Sequence, residues 1–197
     1  MDWDEHAAGW DDDPAVVAYA NAAFASLQDV LRDHGLVLDG ARVLDFGCGT
    51  GRLTALMAAQ AEQVVGYDVS AKMVAGLAAK ALGNVRAVQG SLSDVGQGFD
   101  GVTCSSVCAF VPDYPQTVRD LVKRIEPGGW FVQWDWELDP DAEEPFGLSP
   151  EAIQAALSAA GLVDVAVRTG FEVAFEGHTM APVMAFGRVP GSSGPRA

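Results

Sequence analysis

The chain has 197 residues, of which 49% are hydrophobic and 20% charged, and its 12 Lys and Arg against 27 Asp and Glu give a formal net charge of −15. This composition excludes a disordered chain and predicts one globular domain with a sizeable core. The excess of acids argues against a nucleic-acid partner, because binding phosphates requires Lys and Arg in excess.

The N-terminal segment, residues 1–35, is predicted to be a lid that ends in a helix. Asp13-Pro14 is a favourable helix start, and apolar residues then recur at three- and four-residue steps as far as His34-Gly35. Residues 36–190 follow as one domain in which strand-like and helix-like runs alternate. The predicted strands are 42–46, 63–67, 85–88, 99–104 and 130–134, and the predicted helices are 52–61, 70–82 and 114–125.

The last third of the chain changes character. A helix is predicted from Ser149 to Gly161, and two strand-like runs, 163–173 and 182–189, follow as a closing hairpin with Gly177-His178-Thr179 in its turn. Residues 191–197 are expected to form a flexible tail. Together these patterns predict an α/β fold with a doubly wound, seven-stranded, mostly parallel sheet and an antiparallel C-terminal hairpin.

The loop after the first predicted strand indicates a nucleoside-binding site. Glycines at 47, 49 and 51 allow a sharp turn and a close ligand approach, and the next helix offers free N–H groups. Asp68 ends the second strand about 20 residues after Gly47, where an acid is expected to meet ribose hydroxyls. A dinucleotide fingerprint requires a third glycine where this chain has Arg52, which disfavours an NAD(P)-dependent oxidoreductase.

The run Val43–Gly51 resembles the first motif of the class I S-adenosylmethionine-dependent methyltransferases, and the resemblance extends over roughly residues 40–190. Residues 99–105 resemble the family's fourth-strand motif, and Glu126-Pro127-Gly128-Gly129 resembles its turn before strand five. The resemblance implies a small-molecule methyltransferase with S-adenosyl-L-methionine as cofactor and S-adenosyl-L-homocysteine as product. The cofactor-binding residues that it implies are Asp45, Gly47, Cys48, Gly49, Gly51, Asp68, Val69, Ser91, Leu92 and Cys104.

The resemblance also implies a role for each part of this set. Asp45 and the glycine loop would hold the methionine moiety, and Asp68 would hold the ribose. Ser91 lies where the family often has an acid for the adenine amino group, so it replaces that acid only in part, with help from the Leu92 N–H group.

No catalytic residue follows from the sequence. A sulfonium donor is already activated, so alignment is the protein's main contribution, and a base is needed only when the nucleophile must lose a proton. The candidate bases are Asp135, His178 and Tyr114. A solvated acid is the favoured interpretation of Asp135, and a surface turn residue that of His178.

Two acid-rich segments, residues 1–13 and 135–144, each hold six acids and no Lys or Arg. We expect both to frame the entrance to the site as a negative rim around an aromatic wall, which suits a cationic or aromatic small molecule. The candidate substrate-binding residues are Trp10, Tyr19, Phe110 and Trp136. The alternatives are that the acids serve solubility and that Tyr19 packs in the core.

Other classes of site and function receive less support. No ordered spacing of ligands suggests a metal, and no apolar stretch reaches the ~20 residues that span a bilayer. Three cysteines and the absence of a secretory signal favour the cytoplasm. A non-catalytic domain that binds S-adenosylmethionine remains an alternative function, and the oligomeric state does not follow from the sequence.

Overall fold

The computed structural model describes residues 2–191, with only the backbone of His178, so most of the predicted C-terminal tail lies outside the described residues. Seven strands form the central sheet in the order β3-β2-β1-β4-β5-β9-β6. They are β1 (Arg42–Phe46), β2 (Gln63–Asp68), β3 (Val85–Gln89), β4 (Phe99–Ser105), β5 (Ile125–Asp135), β6 (Val163–Thr169) and β9 (Val183–Arg188). The strands β1 to β5 pair in parallel, and β9 pairs antiparallel with β5 and β6. The predicted α/β fold is therefore confirmed.

Within residues 2–191, five α-helices connect or flank these strands. They are α1 (Pro14–Asp33), α2 (Arg52–Ala58), α3 (Ala71–Ala79), α4 (Tyr114–Val122) and α5 (Pro150–Ala159). Side-chain caps fix several starts: Asp13 accepts a hydrogen bond from the N–H of Ala15 at 2.8 Å, and Ser70 accepts one from the N–H of Met73 at 3.1 Å. Each predicted helix is present, although most end two or three residues earlier than the apolar pattern suggested.

The sheet is covered on both faces, because alternate residues of each strand point to opposite sides. On β1, Val43 packs in a core cluster with residues of α1 and α2, whereas Leu44 packs in a second cluster with residues of α4 and α5. Since both faces are buried, the loops at the carboxyl ends of the parallel strands remain as the accessible edge for a ligand.

The predicted closing hairpin differs from the structure in one respect. The chain leaves the sheet at Gly170, where a Cβ atom would lie 2.6 Å from the Trp134 ring, and a separate two-stranded hairpin follows. Its strands are β7 (Val173–Phe175) and β8 (His178–Met180). His178 therefore begins a strand instead of lying in the turn.

The segment before α1 forms two 3-10 turns, Trp3–Glu5 and Trp10–Asp12. The first contacts α3 and the second contacts α1, so this segment lies against the domain. No helix within residues 2–191 is both long and apolar enough to cross a membrane.

Candidate active site

A cavity of about 650 Å³ lies at the carboxyl ends of β1, β2 and β4. The order β2-β1-β4 makes this the place where the chain switches from one side of the sheet to the other, which is where doubly wound folds bind ligands. The volume falls in the range of small-molecule sites. The cavity has two walls: a loop wall, residues 45–49 and 67–69, and an aromatic wall formed by Trp3, Trp10, Tyr19, Phe110 and Trp136.

The three glycines of the loop adopt left-handed backbone conformations for different reasons. A Cβ atom on Gly47 would lie 2.3 Å from Cγ2 of Val107, and one on Gly51 would lie 2.3 Å from Cδ1 of Leu77. A Cβ atom on Gly49, at φ +53°, would meet nothing nearer than the Trp10 Nε1 atom at 3.7 Å. Gly47 and Gly51 thus permit protein packing, whereas Gly49 faces the cavity-lining side chains of Trp10 and Met73 at ordinary contact distance.

Asp68 fixes the glycine loop from the end of β2. Its Oδ2 atom accepts a hydrogen bond from the N–H of Gly49 at 2.9 Å, and its Oδ1 atom accepts one from the N–H of Ser70 at 2.9 Å. The side chain is largely buried but lines the cavity. Each carboxylate oxygen has a second lone pair, so Asp68 can still accept hydrogen bonds from ligand hydroxyls.

Asp45 lies deeper in the loop wall and is almost fully buried. It accepts hydrogen bonds from the hydroxyls of Thr54 at 2.5 Å and Thr103 at 2.9 Å. Burial raises the pKa of Asp45 to about 6, although both hydroxyls favour the ionised form. Its carboxylate therefore supplies negative charge to the cavity above that pH.

The N-terminal segment is tied down across the cavity by two acids. Asp4 accepts a hydrogen bond from the Ser70 hydroxyl at 2.5 Å, and Asp11 accepts one from the Thr50 hydroxyl at 2.6 Å. Asp11 also forms ion pairs with Lys80 and with Arg52. The expectation of a free negative rim is therefore wrong for Asp11, whose charge is paired, and Asp13 is used to cap α1.

The aromatic side chains of this wall pack against one another, Trp3 edge to face with Trp10 and Phe110, and Tyr19 tilted against Trp136. The Trp3 ring lies 4.9 Å from that of Phe110 and 6.4 Å from that of Trp10, and the Tyr19 ring lies 5.7 Å from that of Trp136. All four candidate substrate-binding residues line the cavity, as does Trp3 of the first acid-rich segment, and sequence reasoning missed Met180. Among the described lining residues Arg52 is the one cation, and it is paired with Asp11.

Six of the ten candidate cofactor residues line this cavity: Asp45, Gly47, Cys48, Gly49, Asp68 and Val69. The other four, Gly51, Ser91, Leu92 and Cys104, do not line it. The Ser91 hydroxyl accepts a hydrogen bond from the N–H of Ser93 at 3.2 Å and so caps a 3-10 turn, and Cys104 is fully buried in the core.

Ser105, the last residue of β4, and the next two residues, Ser106 and Val107, also line the cavity, and sequence reasoning did not single them out. Ser106 has a φ of +53°, a conformation that side chains other than glycine seldom adopt. Their position at the carboxyl end of a parallel strand could have predicted this, because the loops at that edge of the sheet surround the ligand.

Two of the three candidate bases do not line the cavity. Asp135 is fully buried and accepts hydrogen bonds from the N–H groups of Cys108 at 2.7 Å and Trp136 at 3.3 Å, so the interpretation as a solvated acid is wrong. Burial raises the pKa of Asp135 to about 6. The Tyr114 hydroxyl donates a hydrogen bond to Oε1 of Gln133 at 2.7 Å, and burial raises its pKa well above the ordinary value. The side chain of His178 lies outside the described part of the chain.

Within the described residues no group of three His, Cys, Asp or Glu side chains could hold a metal ion. Cys48, Cys104 and Cys108 are all free. Hydrogen-bond donors and acceptors, carboxylates and aromatic faces are therefore the chemistry that the described cavity presents.

A family model described as a methyltransferase domain matches residues 19–174, which is most of the chain. The chain therefore belongs to the methyltransferase-domain family. Its fold is that of the class I S-adenosylmethionine-dependent methyltransferases, as the sequence resemblance predicted.

Curated relatives match the chain over part of its length. A trans-aconitate 2-methyltransferase from Deinococcus radiodurans is 37% identical over 91 residues, which are 45% of this chain and 35% of that protein. A ubiquinone biosynthesis O-methyltransferase from Leptothrix cholodnii is 36% identical over 101 residues, or 47% of this chain and 43% of that protein. The matched region thus spans less than half the length of these relatives.

Solved structures match over more of the chain. A DhpI–SAH complex has a TM-score of 0.70 at 24% identity and covers 96% of this chain and 94% of its own. Magnesium protoporphyrin IX methyltransferase from Synechocystis PCC 6803 with bound SAH has a TM-score of 0.69 at 20% identity and covers 88% and 84%. At these identities the likeness establishes the fold.

Proposed function

We propose that this protein transfers a methyl group from S-adenosyl-L-methionine to a small molecule that has an aromatic or apolar body and is uncharged or cationic. When bound, the cofactor supplies a methyl group that is already activated on a sulfonium sulfur. Similar structures, among them the DhpI complexes and magnesium protoporphyrin IX methyltransferase, were solved with SAM or SAH, which supports this choice of cofactor.

The loop wall fits an adenosine cofactor. Gly49 leaves its cavity side free of a side chain, and Asp68 keeps lone pairs for the ribose hydroxyls. Asp45 and the glycine loop would hold the methionine moiety, and Val69, which is 61% exposed and lines the cavity, would contact the adenine. Ser91 and Leu92 do not line the cavity, so they would contact the adenine only where it extends beyond the cavity.

The observation that carries the choice of acceptor is the aromatic wall opposite the loop wall. Trp3, Trp10, Phe110 and Trp136 line the cavity, and aromatic side chains favour a flat or cationic molecule. Arg52, the one described lining cation, is paired with Asp11, whose carboxylate also pairs with Lys80, so the positive charge of Arg52 is offset only in part. The uncharged aromatic side chains of this wall favour an apolar or cationic acceptor, because an anion buried against them would lose its hydration without compensation.

The chain's own contribution to the reaction is alignment and exclusion of water. Alignment of reacting groups can supply roughly 7–11 kcal/mol of a barrier, and an in-line displacement from an activated donor needs little else. Asp135 and Tyr114 lie behind the cavity wall, so we infer that no described base must remove a proton before attack. Exchange of ligands would require the lid, residues 1–35, to move at its first turns.

The net charge and the free cysteines of the chain support two further parts of the proposal, the class of partner and the cellular compartment. The net charge of −15 supports a small-molecule partner over nucleic acid. Three free cysteines support a reducing compartment such as the cytoplasm.

Two measurements on the full chain test this function. S-adenosyl-L-homocysteine at 100 times its dissociation constant should add about 2.7 kcal/mol to the free energy of unfolding, and NAD should add nothing. Asp68→Ala should lose this stabilisation, whereas Asp39→Ala, which removes an exposed acid far from the cavity, should keep it. Stabilisation by NAD alone would favour an oxidoreductase.

Turnover is tested with a methyl-labelled donor and a fractionated metabolite extract. We expect label in an organic-soluble, uncharged or basic product. Binding of the homocysteine product without transfer to any fraction would favour the non-catalytic alternative. Label confined to carboxylic acids would contradict the proposed acceptor class.

A further inference from the structure

A buried carboxylate that the proposed reaction does not use lies behind the aromatic wall. Asp135 ends β5, is fully buried and does not line the cavity. Its Oδ2 atom accepts a hydrogen bond from the N–H of Cys108 at 2.7 Å, and its Oδ1 atom accepts one from the N–H of Trp136 at 3.3 Å. Burial raises the pKa of Asp135, against an opposing effect of these two N–H groups and of those of Ala109 and Val107. One carboxylate therefore holds two separate stretches of backbone, one after β4 and one after β5.

Both stretches carry side chains of the aromatic wall. Phe110 belongs to the short 3-10 turn of the first stretch, and Trp136 is itself the second. The Phe110 ring lies 4.9 Å from the Trp3 ring of the lid, and the Trp136 ring lies 5.7 Å from the Tyr19 ring. Asp135 thus holds the backbone of two residues of the aromatic wall, and two more residues of the wall pack against those.

The loop that follows β4, residues 106–110, begins with a strained residue. Ser106 has a φ of +53°, a conformation that is costly for a residue with a Cβ atom and that persists where the surrounding structure holds it. Its N–H donates a hydrogen bond to the carbonyl oxygen of Trp134 at 2.8 Å, and the next three N–H groups face the Asp135 carboxylate. Backbone strain of this kind collects at ligand sites, and Ser106 lines the cavity.

We propose that Asp135 is a positioning residue for the acceptor. It holds the strained 106–110 loop and Trp136 in the arrangement that forms the aromatic wall, and it acts on the acceptor through these residues without touching it. This inference rests on the proposed function, because that function places the acceptor against the aromatic wall.

Asp135→Asn tests this role because asparagine has one oxygen acceptor where aspartate has two. The two hydrogen bonds use different oxygen atoms, so the variant must turn its amide NH2 group towards the N–H of either Cys108 or Trp136. The probes are benzyltrimethylammonium and benzyl alcohol, titrated calorimetrically into protein saturated with S-adenosyl-L-homocysteine. We expect the variant to bind both probes roughly tenfold more weakly, as the loss of one hydrogen bond in the wall does, and to bind S-adenosyl-L-homocysteine as the wild type does.

The two probes separate positioning from charge, because both are aromatic but only benzyltrimethylammonium is cationic. Removal of a negative charge near the cavity weakens binding of the cation alone, whereas a displaced aromatic wall weakens binding of both. A loss confined to the cation, or no loss for either probe, would overturn the inference. A wild type that binds S-adenosyl-L-homocysteine but neither probe would refute the proposed acceptor class, and one that does not bind S-adenosyl-L-homocysteine would refute the proposed function; amide exchange then decides the inference by itself.

Amide hydrogen exchange reads the two anchored stretches without an acceptor. In Asp135→Asn the amide of Cys108 or of Trp136 should exchange roughly tenfold faster than in the wild type, whereas the amides of β4 should exchange as before. In the wild type, a bound probe should slow exchange at both amides, because the ordered loop is part of the bound state. Exchange at both amides that is the same in Asp135→Asn and the wild type would contradict the role of the carboxylate.

Tyr114→Phe is the matched control for a general loss of stability. The Tyr114 hydroxyl is also buried against β5, where it donates a hydrogen bond to Oε1 of Gln133 at 2.7 Å, and it lies outside the cavity. This variant should lower the free energy of unfolding and leave the affinity for both probes unchanged. Equal losses of affinity in Tyr114→Phe and Asp135→Asn would mean that any defect behind the wall has this effect, and the inference would fail.

Relief of the strain at Ser106 supplies a rescue. Glycine adopts a φ of +53° without the cost that serine meets, so a loop with Ser106→Gly should depend less on the carboxylate. The double variant Asp135→Asn/Ser106→Gly should therefore bind benzyltrimethylammonium several-fold more tightly than Asp135→Asn. Asp164→Gly is the control, since Asp164 has a φ of +54° but is exposed on β6 and does not line the cavity. No rescue by Ser106→Gly, or an equal rescue by Asp164→Gly, would overturn the inference.

Discussion

Replacing Gly49 with alanine separates the ligand-binding part of the glycine loop from its structural part. An added Cβ atom would lie 3.7 Å from Trp10 Nε1 and 3.9 Å from Met73 Sδ, both at ordinary contact distance, so the protein itself has room for it. Both neighbours line the cavity, so the methyl group would occupy space on the cavity side of the loop. We therefore expect Gly49→Ala to fold and to bind S-adenosyl-L-homocysteine poorly.

The magnitudes follow from the backbone and the contacts. A left-handed conformation costs a residue with a Cβ atom about 1–2 kcal/mol, and Gly49 has a φ of +53°. Gly40→Ala is the matched control, because Gly40 has a φ of +72° and nothing within 4 Å of an added Cβ atom. Both variants should lose about 1–2 kcal/mol of unfolding free energy. Only Gly49→Ala should also lose binding, by the roughly 1–3 kcal/mol of an overpacked contact, or about 10- to 100-fold in affinity.

Urea denaturation measures the first quantity and calorimetric titration with S-adenosyl-L-homocysteine measures the second. A Gly49→Ala protein that is as stable as Gly40→Ala and binds with wild-type affinity would refute the assignment of the loop to the cofactor. Equal losses of affinity in both variants would point to a general effect of destabilisation.

Three further outcomes are expected. Asp11→Asn should lower the free energy of unfolding by about 1 kcal/mol or less, as for a partly exposed ion pair, and urea denaturation measures this. It should also weaken the binding of S-adenosyl-L-homocysteine in a calorimetric titration, because Asp11 helps to hold Trp10 against the cavity. Since burial raises the pKa of Asp135 from its ordinary 3.8 to about 6, ionisation costs the folded state more than the unfolded one. Wild-type stability should therefore fall with rising pH between about 4 and 6 more steeply than that of Asp135→Asn, and identical slopes in urea titrations at several pH values would contradict the shift. The double variant Glu143→Gln/Glu144→Gln should bind a cationic aromatic ligand as tightly as the wild type, since both side chains are exposed and do not line the cavity. A marked loss of affinity would support the predicted negative rim.

Much of the fold could be predicted because its signals are local. Asp13 caps the helix that begins at Pro14, Ser70 caps α3, and the glycine loop follows β1, all within a few residues of the pattern that predicts them. The aromatic wall was also accessible, because the segments that supply it could be assigned to the ligand side of a doubly wound sheet.

The predictions that were wrong concern residues whose partners lie far away in the chain. Asp135 opens an acid-rich segment, yet its carboxylate is buried against the N–H group of Cys108, 27 residues earlier. Asp11 lies in another acid-rich segment but pairs with Lys80, 69 residues later. Composition cannot distinguish a solvated acid from one that meets a remote donor. The point at which the chain leaves the sheet, Gly170, was not predicted for the same reason, since the Trp134 ring that lies against it belongs to β5.

A crystal structure of the protein with S-adenosyl-L-homocysteine tests the central claim most directly. We predict that the Asp68 carboxylate accepts hydrogen bonds from the ribose hydroxyls and that the ligand passes over Gly49. Its sulfur should face the aromatic wall at Tyr19 and Trp136. A ligand bound elsewhere, with Trp10 still covering Gly49 and Asp68 making only its two backbone hydrogen bonds, would contradict the account.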